Sequence, residues 1–308
     1  MVRFFALVLG LLILLPPSMM ATAQEVPSRT HSAQRCEADG AFAWVEGGAF
    51  VLGSTQAERD DAYRLSASTT ASTPEGVAAD EADLRSNGWF DDEPERTMRT
   101  LAGFCISRTQ VTNADYLAFV RASRHRVPGI SRSEYQAQGF LYHPYETVER
   151  FLWAGGAHPQ GEADHPVVLV SYDDAVQFAT WKGRQDGHTY RLPTADEWEK
   201  AARGGDGRVF PWGDAWRGDV SNWAGSGLAH TSPVAAFPAG RSPYGIDGMA
   251  GQVFEFTSTL VETSGGVRAV MKNCGWDDSP GFCRGAYRHT RAVGSRHILI
   301  GFRLVRED

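Results

Sequence analysis

The chain has 308 residues, 42% hydrophobic and 22% charged, enough to bury a full core and unlike a disordered or fibrous composition. Its formal net charge of −7 excludes general nucleic-acid binding, which needs a basic face. The 33 Gly, 15 Pro and 9 Trp point to a loop-rich fold held by large aromatic anchors.

The first residues read as an export signal. Arg3 precedes an apolar run from Phe4 to Leu15, and Ala21-Thr22-Ala23 is an A-x-A cleavage site. Residues 1–23 are therefore expected to be removed, leaving a periplasmic or secreted protein with no membrane span; the run is short for a span. In such an oxidising compartment four cysteines, Cys36, Cys105, Cys274 and Cys283, allow three pairings. Disulfides are the better reading for Cys36 and Cys105, with their partners open.

Residues 24–40 are short, polar and aperiodic, and are expected to be flexible. Ala41 to Gly53 reads as two short strands around Gly47-Gly48. Residues 54–92, rich in Ala, Ser, Thr, Asp and Glu, read as an acidic surface loop, and strand alternation resumes from Thr97 to Ile106. Thr112 opens a helix with Tyr116 and Phe119 on its inner face. Residues 126–161 form an irregular region with scattered aromatics. Ser171, with Asp174 three residues on, caps a helix carrying Ala175, Phe178, Ala179 and Trp181.

Arg191 to Asp214 is the best-defined stretch. Thr194 and Glu197 make a capping box, and Trp198, Ala201 and Ala202 share the inner face. Glu197, Lys200 and Arg203 are expected toward water, and Gly204-Gly205 stops the helix. Phe210-Pro211-Trp212-Gly213 follows as an aromatic turn. Gly251 to Thr257, Val267 to Trp276 and Ile300 to Arg306 read as strands, with an Arg-rich loop before the last. No internal repeat or linker divides the chain, so residues 41–308 read as one domain.

These pieces, in this order, resemble the formylglycine-generating enzyme (sulfatase-modifying factor) family. The matching residues are Gly47 to Gly53, Val111-Thr112-Asn113, Pro166-Val167 through Ser171, and Asp174-Ala175. They continue with Trp181, the whole of Arg191 to Asp214, Tyr244-Gly245-Ile246, Met249-Ala250-Gly251, Glu255 and Gly301-Phe302-Arg303. The resemblance implies an α+β, loop-rich single domain related to C-type lectin-like folds. It also implies oxidation of a substrate cysteine by O₂ at copper(I) held by two cysteine thiolates, soft ligands that suit that ion.

At that site this chain departs from the family. Cys283 aligns with the second copper cysteine, Asp278 stands where the first belongs, Cys274 replaces a glycine and Gly275 a serine. A carboxylate is a poor copper(I) ligand. Cys274 and Cys283 are then a disulfide, a displaced copper or redox pair, or two free thiols. Asp278 is a candidate general base.

The resemblance also implies structural calcium at Asn222 and at Gly251, Val253 and Glu255. Gly248 and Ser226 have lost side-chain ligands, and Asp247 is a possible substitute; Glu255 otherwise reads as a buried carboxylate satisfied by backbone donors. Trp276, Arg284, Tyr287, Arg288 and His289 are candidate substrate-binding residues on the face that binds substrates in the family. Two functions are compatible with these readings. One is an exported oxidoreductase-type paralogue acting on a peptide or secondary metabolite. The other is a non-catalytic module binding a peptide, glycan or protein.

Overall fold

The computed structural model describes residues 31–139 and 142–307. The export-signal reading and residues 24–30 lie outside them. In chain order the elements begin with α1 His31–Ala38, β1 Phe42–Val45, β2 Gly48–Leu52, α2 Gln56–Thr70 and α3 Pro74–Ser86. Next come β3 Thr97–Leu101, β4 Phe104–Ser107, α4 Asn113–Ser123, α5 Arg132–Ala137 and α6 Tyr145–Val148. The chain continues through α7 Tyr172–Asp186, β5 Thr189–Arg191 and α8 Ala195–Arg203. It then runs without a strand or an α-helix to β6 Phe254–Thr263, β7 Gly266–Lys272, β8 His289–Ala292, β9 Ile300–Phe302 and β10 Val305–Glu307. Among the described residues no helix is long and apolar enough to cross a membrane.

Three small sheets carry the fold, ordered β1-β4-β10-β5, β2-β3 and β8-β7-β6-β9. Residues 41–53 do form two strands, but in different sheets: β1 pairs with β4 and β2 with β3. A Cβ at Gly47 would lie 2.8 Å from the Gly103 nitrogen, so the crossing of the two chains there needs glycine.

The helix starts follow local chemistry. Thr112, Ser171 and Thr194 each accept from the backbone N–H three residues on, and Asp115, Asp174 and Glu197 reach back to close the box. On α8, Trp198, Ala201 and Ala202 are buried as expected, but so are Glu197, Lys200 and Arg203. The expectation that these three face water fails because each meets a partner, for Lys200 and Arg203 one distant in sequence. Lys200 Nζ donates to the Gly48 carbonyl at 2.9 Å and Arg203 Nη1 to the Gly53 carbonyl at 2.8 Å. Glu197 is forked onto Arg191.

Two further expectations need correcting. The polar start of the chain is not without regular structure through residue 40: His31–Ala38 form α1, fastened by the Cys36–Cys105 disulfide and by Arg306, which donates to the Arg35 carbonyl and Asp39. Residues 54–92 are not a loop but a helical hairpin. Thr55 and Glu58 form a capping box for α2, and Thr73 caps α3 with Pro74 in its first turn. Ala62, Tyr63, Ser66 and Ala67 are buried at helical spacing. Arg85 ties the two helices together through Asp60 at 2.7 Å. The charges that suggested a loop lie on the outer face, since α3 buries no residue.

Candidate functional site

Family-specific chemistry is expected in the segment joining β7 to β8. Cys274 and Cys283 are joined there as a disulfide, buried to 0% and 1% exposure, and among the described residues no cysteine is free. A disulfide offers no thiolate, and Asp278 is a hard ligand, so the donor set does not fit copper(I). Replacing both cysteines by Ser is expected to lower unfolding stability by about 2–3 kcal/mol, because the closed loop is short. Urea denaturation checks this, with thiol titration of the native protein expected to find none.

The helical hairpin packs directly onto this segment. Gly281 N donates to Ser66 Oγ at 2.9 Å, and a Cβ at Gly281 would lie 2.5 Å from the Ala62 carbonyl oxygen. Phe90 and Phe282 meet edge to face at 5.0 Å, and each contacts Tyr287. The hairpin thereby walls one side of a cavity of about 450 Å³. Leu84, Asn87 and Trp89 come from the hairpin; Phe254, Phe282 and Tyr287 form an aromatic floor. Asp277, Asp278, His289, Arg291 and His297 supply the polar groups, and Tyr142 lies at the rim, 71% exposed.

Electrostatics in the cavity are unusual for a protein surface. Asp278 sits deep in the molecule with part of its surface open to the cavity, and burial pushes its pKa well above the ordinary 3.8; the neighbouring Asp277 charge adds to this. Its Oδ2 accepts a 2.6 Å hydrogen bond from Gly275 N, which acts in the opposite sense. Asp277 Oδ2 lies 2.7 Å from His143 Nε2, whereas its Oδ1 is buried without a partner. Burial lowers the pKa values of His289 and His297 to about 3 each, so both imidazoles are neutral. Burial likewise holds Tyr287 as the phenol. One carboxyl whose neutral form is favoured by burial thus faces two neutral imidazoles and an aromatic floor. Such a set can exchange a proton with a ligand.

The candidate residues therefore separate. Asp278, Tyr287 and His289 share the cavity. Trp276 is buried beside it, packed on His143 at 5.1 Å and Phe151 at 6.2 Å. Arg284 does not reach the cavity: its guanidinium is locked to buried Glu93, with Nη1 donating to Oε2 at 3.1 Å. Arg288 lies outside as well, within electrostatic reach of Asp196 on α8. The residues missed were those of the hairpin. Trp89 and Phe90, adjacent aromatics closing an otherwise acidic segment, were the available signal.

The calcium set does not converge on an ion. Glu255 is fully buried and accepts from Arg303 Nε at 2.6 Å and Nη2 at 2.8 Å, from Trp198 Nε1 at 2.8 Å and from Gln110 Nε2 at 2.9 Å. A guanidinium already holds the place a cation would take. Gly251 exchanges both backbone groups with the Asn273 side-chain amide, and Asn222 is bonded to His230, Gln252 and Ser226. For Val253, side-chain burial is complete, and the neighbouring Asp247 is paired with Arg241. These residues do not fit calcium, which wants six to eight oxygens. They form a neutralised polar core instead.

Residues 28–308 match the family described as Sulfatase-modifying factor enzyme 1-like domain. The chain is 32% identical over 225 residues to the formylglycine-generating enzyme of Mus musculus, covering 60% of this chain and 56% of that protein. It is 30% identical over 229 residues to inactive C-alpha-formylglycine-generating enzyme 2 of Bos taurus, covering 64% and 72%. The solved structure of PvdO from Pseudomonas aeruginosa superposes with a TM-score of 0.63 at 24% identity, over 86% of this chain and 94% of that one. That likeness shows a shared fold, and the match over residues 28–308 shows that this chain belongs to the sulfatase-modifying factor enzyme 1-like family.

Proposed function

We propose that this chain is an exported, copper-independent paralogue of formylglycine-generating enzyme, and that it takes a small molecule in the cavity between the helical hairpin and Tyr287. The observation that carries this reading is the hairpin itself. It closes the cavity to about 450 Å³, a volume suited to a metabolite rather than an extended polypeptide. The aromatic floor favours a planar ligand, and Asp278 favours one with an acidic O–H or N–H. In the oxidoreductase-type version Asp278 takes that proton. The ligand loses two electrons and two protons in all, and O₂ accepts them to give H₂O₂.

A second reading has its own support. Without a thiolate pair the cavity holds no redox ligand of the family type, so it can serve as a binding module that holds the same ligand unchanged. Export is supported by the two disulfides, which persist in oxidising compartments.

The test is thermal-shift screening of phenolic and heteroaromatic small molecules beside a cysteine-containing peptide, followed by O₂ uptake with every binder. Small-molecule binding weakened about tenfold or more by Trp89→Ala supports the cavity assignment. O₂ uptake separates the enzyme from the binding module. Peptide binding unaffected by Trp89→Ala would sink both versions.

A further inference from the structure

Away from the cavity, the turn before β-bridge residue Pro166 and the loop after Asn222 bring together Glu162, His165 and His230. One ligand atom from each lies within 4.8 Å of the other two, the only such His, Cys, Asp or Glu group among the described residues. We propose that these three residues form a divalent-metal site of the two-imidazole, one-carboxylate type, with zinc as its occupant.

The argument begins with the hydrogen bonds of the imidazoles. His165 Nδ1 lies 3.0 Å from Thr231 Oγ1. His230 Nδ1 lies 3.2 Å from that same hydroxyl and 3.2 Å from the Thr231 carbonyl oxygen. A carbonyl only accepts, so His230 carries its proton on Nδ1 and presents a lone pair on Nε2. That lone pair faces Glu162 Oε1 at 3.6 Å. Two electron-pair donors facing each other across such a gap repel unless a proton or a metal cation is shared between them, and at 3.6 Å the contact is too long for a good hydrogen bond. In a tetrahedral zinc site with bonds of about 2.1 Å, neighbouring ligand atoms are about 3.4 Å apart, close to the gap observed. Thr231 plays the part that outer partners play at metal sites, fixing the tautomer and the ring orientation.

The frame is held from behind. Asn113 donates from its side chain to the Glu162 carbonyl at 2.8 Å and from its backbone to the His165 carbonyl at 2.9 Å. Asn222 donates to the His230 carbonyl at 2.9 Å. Phe151 stacks on the His230 ring at 4.1 Å and 7°. Arg150 and His158 lie within electrostatic reach of Glu162, but neither donates a hydrogen bond to it. The side chains of Glu162 and His230 remain 20% and 14% exposed, leaving room for water in a fourth position. Because Phe151 also faces Trp276, an ion here would stiffen the wall behind the cavity.

Untagged protein, stripped with a chelator and titrated with Zn²⁺ alone, is expected to bind one ion per chain with a Kd of about 10 µM or tighter. Co²⁺ substitution should give visible d–d bands of a four- or five-coordinate site. His165→Ala and His230→Ala should each weaken binding about tenfold or more, and Glu162→Gln and Thr231→Val, which keep the side-chain volume, should weaken it about tenfold. His188→Ala, in an exposed turn, should leave it unchanged. Absence of binding at about 100 µM Zn²⁺, or affinity unmoved in Glu162→Gln and Thr231→Val, would overturn the assignment.

Discussion

Glu255→Ala is expected to destabilise the fold by about 3–5 kcal/mol, the usual consequence of leaving a buried charge without its partner. Arg303 and Glu255 are both 0% exposed, and the carboxylate also receives Trp198 from α8 and Gln110 from the segment before α4. The Glu255–Arg303 pair therefore joins β6, the turn after β9, α8 and the Asp247 loop, whose carbonyl accepts from Arg303 Nη2 at 2.9 Å. For a chain of this size the thermal midpoint should fall by about 10 °C. Arg303→Met alone should be nearly as damaging, since it leaves the carboxylate buried and under-paired. The double variant Glu255→Leu with Arg303→Met should recover much of the loss, because two apolar side chains need no partner. Calorimetry of the four proteins checks the pattern. Equal losses in the single and double variants would mean that packing, not charge, sets the cost. The same scans bear on calcium, since a midpoint indifferent to chelator and to added Ca²⁺ is expected where Arg303 occupies the carboxylate.

This hub illustrates what was legible in the sequence. The helix caps at Thr112, Ser171 and Thr194 could be read because a capping box is complete within four residues. Glu255 could be singled out by resemblance, but its partner could not, because Arg303 meets it only after the chain has closed its last sheet. Lys200 and Arg203 misled for the same reason. On a helical wheel they belong to the polar face, and only the approach of Gly48 and Gly53 makes that face an interior one. The hairpin misled through composition. Its outer helix buries no residue, which hid the buried Ala62, Tyr63 and Ser66 beneath it.

The candidate site was readable where it lay close in sequence to the aligned cysteines. Asp278, Tyr287 and His289, the last of which opens β8, share one stretch of chain and one cavity. Arg284 sits in the same stretch and yet turns away, because Glu93, just after the hairpin, supplies a carboxylate it can fork onto. The departures from the family pattern also make sense together once placed in space. A Cβ at Gly275 would stand 2.6 Å from Asp277 Oδ1 and 3.3 Å from Asp278 Oδ2, so a serine there would crowd both carboxylates. Gly275 thus leaves the space in which both carboxylates sit.

Asp278→Asn should then separate a working carboxylate from an incidental one. Burial holds the Asp278 pKa well above 3.8, so the fold favours its neutral form. The stabilisation from that form is complete below the unfolded-state value and is lost as pH rises through the folded one. Above its raised folded-state pKa, wild type therefore carries the cost of a charge in a poorly solvated place, which the amide avoids while still accepting from Gly275 N. The variant should melt higher than wild type, by about 2 °C or more at pH 8, with the difference shrinking toward pH 4. If Asp278 exchanges a proton with the cavity ligand, the same change should slow turnover by about 10²–10⁴-fold while the thermal shift produced by the ligand persists. Gain of stability with loss of turnover is what a strained functional group predicts. A midpoint difference that does not vary with pH would show that Asp278 ionises as a solvent-exposed carboxylate does, and it would remove this residue from the proposed chemistry.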